Sequence, residues 1–190
     1  MFDLKVPTDR RWLDAVLSDF DAFLIDHAAC ERKASATGMS FVVRYADHRA
    51  MLDPLIAFAR EELEHFHQVF RLCAARGLTL AADEKDPYVG ALVSQVRTGR
   101  ETRLLDRLLV AGVIEARGCE SFEMLTEALR DPQLKAFYLD LTRAEARHHG
   151  LFLRLARLYF DEATVAARVT QLLDIEAEII RELPLRATLH

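Results

Sequence analysis

Along most of the chain the apolar residues return every three or four positions, the spacing at which side chains share one face of an α-helix. The first run carries Trp12, Leu13, Val16, Leu17, Phe20 and Leu24 behind the capping sequence Pro7-Thr8-Asp9, and predicts a helix from there to about Ala36. Thr37-Gly38 weakens the pattern, which resumes as far as Arg44. Asp47 is placed to cap a second helix reaching Arg76-Gly77, with Pro54 predicting either a kink in its first turns or a start at Asp53. The pattern lapses from Leu78 to Pro87, and Tyr88 to Val96 reads as a short helix before Thr98-Gly99. A third long helix is predicted from about Arg100 to Arg130. Asp131-Pro132 then supplies a cap and a first-position proline for a fourth, running to about Phe160. Asp161 starts a last amphipathic helix that ends before Pro184.

Composition agrees with an all-α reading. A chain of 190 residues with 51% hydrophobic content has the size and core of one domain, expected to span 1–190. Seven glycines and five prolines are few, and no long alternation of apolar and polar residues suggests strands. Four long helices, a long mid-chain crossover and an additional C-terminal helix predict a ferritin-like four-helix bundle. Neither a leader pattern nor a run of about 18 apolar residues is present, so a soluble, cytoplasmic protein with no membrane association is expected. Three cysteines, Cys30, Cys73 and Cys119, lie inside helical patterns and are read as reduced core residues. A net charge of −5 excludes a dedicated nucleic-acid binder with a basic excess over the whole domain, so any RNA contact is local.

The chemistry lies where charged residues interrupt the apolar rows. The second helix has the row Leu55, Phe58, Glu62, His65, Val69, Leu72, and the fourth has Leu134, Tyr138, Leu141, Glu145, His148, Phe152, Leu155. Each places a Glu and a His three residues apart on the inward face, close enough to bind one ion. The third helix contributes one inward carboxylate in Leu105, Leu108, Gly112, Glu115, Cys119, Phe122. The first contributes Glu31 in Leu13, Leu17, Phe20, Leu24, His27, Glu31, Ala34. Glu31 and Glu62 are 31 residues apart (62 − 31) and Glu115 and Glu145 are 30 apart (145 − 115), so the chain reads as two copies of one helical hairpin.

Four buried carboxylates repel one another unless cations neutralise them, and four carboxylates with two imidazoles form the recurrent donor set of di-iron and di-manganese bundles. The metal ligands are therefore expected to be Glu31, Glu62, His65, Glu115, Glu145 and His148. His27, one turn before Glu31, and Tyr138, two turns before Glu145, are candidates for the shell around the ligands, with plain core packing as the competing reading. Glu64 and His67 share a face with Arg60 and Arg71 and read as solvated. A rival register that promotes Asp26 or Glu120 ranks lower, because their faces carry Asp19 and Lys33, or Asp106 and Arg117. Ala111 and Gly112 beside Glu115 suggest either a route for substrate or close helix packing.

The stretches from Asp26 to Ala34, Ala59 to Phe66, Ile114 to Glu120 and Glu145 to His148 resemble the bacterial tRNA 2-methylthio-N6-isopentenyladenosine hydroxylases. The resemblance covers the four long helices and implies a non-haem di-iron monooxygenase. Its two iron ions would use dioxygen as co-substrate to hydroxylate the isopentenyl group of the modified adenosine next to the anticodon. It also implies tRNA as partner. Lacking any flavin, haem or iron-sulfur pattern, such a chain needs an external electron-transfer partner. Two local basic groups suit phosphates: Arg143, Arg147, Arg154 and Arg157 on the fourth helix, and Arg97, Arg100, Arg103 and Arg107 near the start of the third, the latter with Glu101 and Asp106 as neighbouring acids. The rival functions are another di-iron role, such as a rubrerythrin-type peroxidase or iron storage, and a metal-free helical interaction protein. The pattern leaves the oligomeric state open.

Overall fold

The computed structural model describes residues 2–82 and 84–190. Among these, every regular element is an α-helix: α1 (Arg10–Ser18), α2 (Phe20–Arg44), α3 (Arg49–Ala75), α4 (Pro87–Val93), α5 (Arg100–Ala128), α6 (Pro132–Tyr159) and α7 (Glu162–Glu182). The chain divides into two compact units, one of Met1–Leu13, Lys85–Leu185 and His190, the other of Asp14–Glu84 and Arg186–Leu189.

In the second unit, α2 and α3 form an antiparallel hairpin joined by residues 45–48. The two helices are tied at several levels. Arg76 pairs with Asp21 at 2.6 Å, Cys73 Sγ lies 3.6 Å from the Leu24 carbonyl, and Ser35 Oγ donates to the Ala59 carbonyl at 2.7 Å. The expected first helix is broken rather than continuous. The Asp19 side chain accepts from Ala22 N at 3.1 Å and caps a new helix, so the buried row moves from Trp12, Leu13 and Val16 to Phe23, Leu24, His27, Ala28 and Glu31. Leu17, expected on the inward row, is exposed. No break occurs at Thr37-Gly38. A Cβ on Gly38 would stand 2.8 Å from the Phe58 ring and 3.0 Å from Ala59 Cβ, so the glycine is there for close approach of α3. The cap of α3 falls on His48, not Asp47, and Pro54 lies inside the helix.

In the first unit, α5 and α6 form the corresponding hairpin, with the Asp131 side chain accepting from Gln133 N and Leu134 N to start α6 as expected. Helix α5 is buried nearly all round, because α6 covers one side and α4 and α7 cover the other. The side towards α7 holds polar groups whose role periodicity misread. Asp106 and Arg117, whose charges lower the rank of Glu120 as a ligand when the sequence is read alone, are both buried. Asp106 accepts from Arg97 Nε and Nη2 at 2.8 Å each, from Arg97 N at 2.9 Å and from Arg168 Nε at 2.8 Å. Arg117 donates to Glu176 Oε1 on α7 from Nε at 2.9 Å and Nη2 at 2.6 Å, and the Tyr88 hydroxyl donates to the same oxygen at 3.2 Å. These pairs fasten α7 and the link before α5 to α5 itself.

Burial alone would raise the Asp106 carboxyl, but its hydrogen bonds from Arg97 and Arg168 hold it below the ordinary carboxylate value. Its contribution to stability is thus fully present above the unfolded pKa of about 4 and lost as pH falls through the lower folded value. Replacing Asp106 with Asn leaves two guanidinium groups without their anion and is expected to cost about 2–3 kcal/mol at neutral pH. In denaturant titrations run from pH 7 downwards, the gap between the variant and the native protein should shrink below about pH 4; a gap independent of pH would show that the ion cluster does not stabilise the fold.

Candidate metal centre

Each hairpin carries its donors at one level. Glu115 and Glu145 lie 15 residues on either side of Arg130, the middle of the α5–α6 turn (130 − 115 and 145 − 130), so an antiparallel pair brings them opposite one another. Glu31 and Glu62 are likewise equidistant from the middle of the turn 45–48. The six expected ligands are all buried, with exposures between 1% and 7%. The inward placement of these six side chains is therefore correct, since ionisable side chains are rarely buried so fully unless paired or coordinated.

In the α2–α3 hairpin, donor atoms of Glu31, Glu62 and His65 lie within 4.8 Å of one another. His65 Nδ1 is 3.4 Å from Glu62 Oε2 and 3.6 Å from Glu31 Oε2. His27, fully buried, meets Glu31 Oε1 through Nε2 at 2.7 Å. In the α5–α6 hairpin, donor atoms of Glu115, Glu145 and His148 also lie within 4.8 Å of one another. His148 Nδ1 is 3.6 Å from Glu115 Oε2 and 3.7 Å from Glu145 Oε2. The two halves repeat one motif, an imidazole nitrogen facing one carboxylate from its own helix and one from the neighbouring helix. Separations of 3.4–3.7 Å lie at or beyond the long end of hydrogen bonding and within the range of about 3.0–4.2 Å that bonds of about 2.1 Å set between the donors of one six-coordinate ion. Carboxylate oxygen with imidazole nitrogen is the donor chemistry of iron or manganese, so the residues present fit such a metal.

The electrostatics of the α2–α3 set point the same way. Burial opposes the charged form of His65, yet hydrogen bonding with Glu31 and Glu62 pushes its pKa up to about 10. Burial likewise opposes ionisation of Glu31, and its bonds with His27 and His65 override this to hold the carboxyl far below the usual range. With no cation, a proton on the imidazole supplies the positive charge the carboxylates require. A divalent ion replaces that proton, since a ligating imidazole must be neutral.

The residues set aside in the sequence are occupied elsewhere. Asp26 Oδ2 accepts from Leu189 N at 2.8 Å. Glu120 Oε2 accepts from Thr8 N at 2.9 Å, Thr8 Oγ1 at 2.6 Å and Arg117 Nη1 at 2.5 Å. Glu64 and His67 are exposed. Tyr138, fully buried, packs against Phe122 and Phe137 with ring centroids 5.5 and 5.1 Å away. The three cysteines are thiols, Cys73 buried and the other two half-buried. Of the basic residues, Arg143, Arg147 and Arg154 stand exposed on α6, Arg143 paired with Asp140 at 3.2 Å. Arg97 is bound to Asp106, and Arg103 Nη2 donates to the Thr98 carbonyl at 2.7 Å, which leaves the α5 group less available for phosphate than its sequence implies. Arg100 is exposed beside them.

The model of one protein family, tRNA-(MS[2]IO[6]A)-hydroxylase (MiaE), matches residues 2–190. A protein of Pseudomonas putida named tRNA 2-(methylsulfanyl)-N(6)-isopentenyladenosine(37) hydroxylase is 39% identical over 178 residues, covering 94% of this chain and 86% of the relative. One of the same name from Salmonella typhimurium is 36% identical over 188 residues, covering 93% and 67%. Among solved structures, protein 43 with aldehyde deformylating oxygenase activity from Synechococcus superposes with a TM-score of 0.93 at 37% identity, over 98% of this chain and 94% of that one. The fold is all-α and ferritin-like, as the order of long helices, crossover and added C-terminal helix implied.

Replacing Glu115 with Ala removes a donor from the α5–α6 set, and the purified variant is expected to lose most of its metal. Glu120→Gln, outside the set, should keep it. Metal analysis of the two variants decides between the registers: retention by Glu115→Ala and loss by Glu120→Gln would reverse the ligand assignment.

Proposed function

The chain belongs to the tRNA-(MS[2]IO[6]A)-hydroxylase (MiaE) family, and we propose that it is an oxygen-dependent di-iron monooxygenase. Its proposed reaction hydroxylates the isopentenyl group of 2-methylthio-N6-isopentenyladenosine next to the anticodon in tRNA. The observation that carries this reading is the family match over residues 2–190 in a chain whose two hairpins each bury two carboxylates and an imidazole. In this reading residues 1–190 act as one ferritin-like di-iron domain, and Glu31, Glu62, His65, Glu115, Glu145 and His148 together hold two iron ions. Support comes from the donor count: each hairpin supplies three donors, fewer than an iron site needs, and the two sets together make the four-carboxylate, two-histidine complement of di-iron bundles.

When bound, the irons supply the activation of dioxygen that no side chain here can perform. Glu31, Glu62, Glu115 and Glu145 would hold and neutralise the metals, and His65 and His148 would each add one imidazole nitrogen. His27 holds Glu31 through the 2.7 Å contact. Tyr138 lies two turns before Glu145 and stiffens that part of α6 through its aromatic neighbours. One oxygen atom enters the substrate C–H bond and the other leaves as water, so each turnover consumes two electrons and two protons. The electrons come from an external electron-transfer protein, because the chain has no redox cofactor pattern of its own. No described helix is long and apolar enough to cross a membrane, and a protein acting on tRNA in this reading works in the cytoplasm.

The neighbour from Synechococcus is named for activity on aldehydes; the scaffold alone does not choose the substrate, and the family match does. The exposed stripe Arg143, Arg147 and Arg154 is the best-placed surface for the tRNA backbone, with Arg100 and Arg103 secondary and Arg97 committed to Asp106.

Reduced, iron-loaded protein mixed with oxygen and isopentenylated tRNA should yield a nucleoside carrying one added oxygen atom on its isopentenyl group, detected by mass spectrometry of the digested tRNA. An unmodified nucleoside alongside oxygen consumption would keep the oxygenase and overturn its substrate. Charge reversal at Arg143, Arg147 and Arg154 together is expected to weaken tRNA binding at least about tenfold at low salt, with bound iron unchanged and a shallower salt dependence. Unaltered binding in a filter or anisotropy assay would remove that stripe from the interface.

A further inference from the structure

Gly112 lies on the ligand-bearing face of α5, one turn before Glu115, and from sequence its small size suggests either substrate entry or close helix packing. The structure shows that the space belongs to Phe2. A Cβ added to Gly112 would stand 2.6 Å from Phe2 Cζ and 3.2 Å from Phe152 Cβ. The Phe2 side chain is buried, and its ring meets His149 edge-on, with centroids 6.3 Å apart and planes at 73°. Phe152 and His149 stand on α6 four residues and one residue after His148, so the phenyl ring fills a notch in the α5–α6 seam immediately beside the donors.

The segment that carries the ring is built in rather than draped. Arg117 Nη2 donates to the Val6 carbonyl at 2.8 Å, and Arg117 Nη1 donates to Thr8 Oγ1 at 3.0 Å. Thr8 donates to Glu120 through both its backbone nitrogen and its hydroxyl, and Lys5 pairs with Asp174 of α7. Arg117 is itself buried and fixed by Glu176, so the anchor is a rigid part of α5 and α7. A buried ring, a glycine whose missing side chain makes its seat, and a fixed polar anchor behind it form one device.

We infer that Phe2 is a positioning residue that seals the Glu115, Glu145 and His148 donors from solvent along the α5–α6 seam, with residues 5–8 as its anchor. The inference rests on the di-iron reading given above. The apolar wall around a metal site governs solvent access and local dielectric. Phe2 supplies that wall where α5 has given up its own side chain.

The test compares native protein with Phe2→Ala, Phe2→Leu and Gly112→Ala. Iron-loaded samples are mixed with excess ferrozine, and release of ferrous iron is followed by absorbance. Phe2→Ala and Gly112→Ala, whose new Cβ pushes the ring out, should release iron at least about tenfold faster than native protein, and Phe2→Leu should restore near-native release. In parallel, metal-free samples are treated with diethyl pyrocarbonate, and acylation of His149 is timed by peptide mass spectrometry; it should be faster in Phe2→Ala and slow again in Phe2→Leu. Circular dichroism confirms that each variant is folded. Native rates of both iron release and His149 acylation in folded Phe2→Ala would overturn the inference. If native protein holds no iron, the di-iron reading fails, and the acylation rates alone still decide whether Phe2 shields this seam.

Discussion

Burying ionised carboxylates in a helical protein is unfavourable unless positive charge accompanies them, and the interior of this chain is arranged around that requirement. Every long helix from α2 to α6 is apolar along its inward row except where a glutamate, or a glutamate and a histidine, interrupts it. Those interruptions fall at matched heights in each hairpin because each pair of glutamates is equidistant from its turn. In both hairpins a histidine Nδ1 stands 3.4–3.7 Å from two carboxylates. In the metal-free α2–α3 set a proton on His65 answers part of the negative charge, and His27 steadies Glu31 by direct contact. Two divalent ions would take the place of such protons and neutralise the four carboxylates, and the proposed chemistry follows from what such ions do with oxygen.

Helix α5 shows two solutions to the same electrostatic problem on opposite sides. Towards α6 it presents Glu115, whose neighbours are another carboxylate and an imidazole. Towards α7 it presents Asp106 and Arg117, each neutralised within the protein by a guanidinium or a carboxylate with well-formed hydrogen bonds. The second cluster pairs its charges within the protein and serves to hold α4, α7 and residues 5–8 in place. The first is a set of acceptors arranged as donors to something further. That contrast within one helix separates a structural use of buried charge from a chemical one more clearly than burial alone does.

Periodicity was sufficient to locate the long helices and the six inward donors, because both depend on local spacing along a single helix. It was insufficient wherever a distant part of the chain decided the outcome. Asp106 and Arg117 look solvated when α5 is read alone, and only the packing of α7, with Arg168 and Glu176, buries them. Gly38 looks like a helix break and is a close approach of α3; Gly112 looks like an opening and is the seat of Phe2. The break at Asp19 went unread because Phe20 and Leu24 continue the apolar spacing across a residue that also caps. The substrate lay beyond periodicity altogether. It came from the extended likeness of the ligand-bearing stretches to one family, which the match over residues 2–190 bears out.

The proposed chemistry depends on metal in the carboxylate and histidine sets, so the most direct measurement is iron quantification with Mössbauer spectroscopy on protein produced in iron-replete cells. About two irons per chain with the spectrum of a spin-coupled pair is the predicted result. A protein that remains folded without iron, or holds one isolated ion, would contradict it.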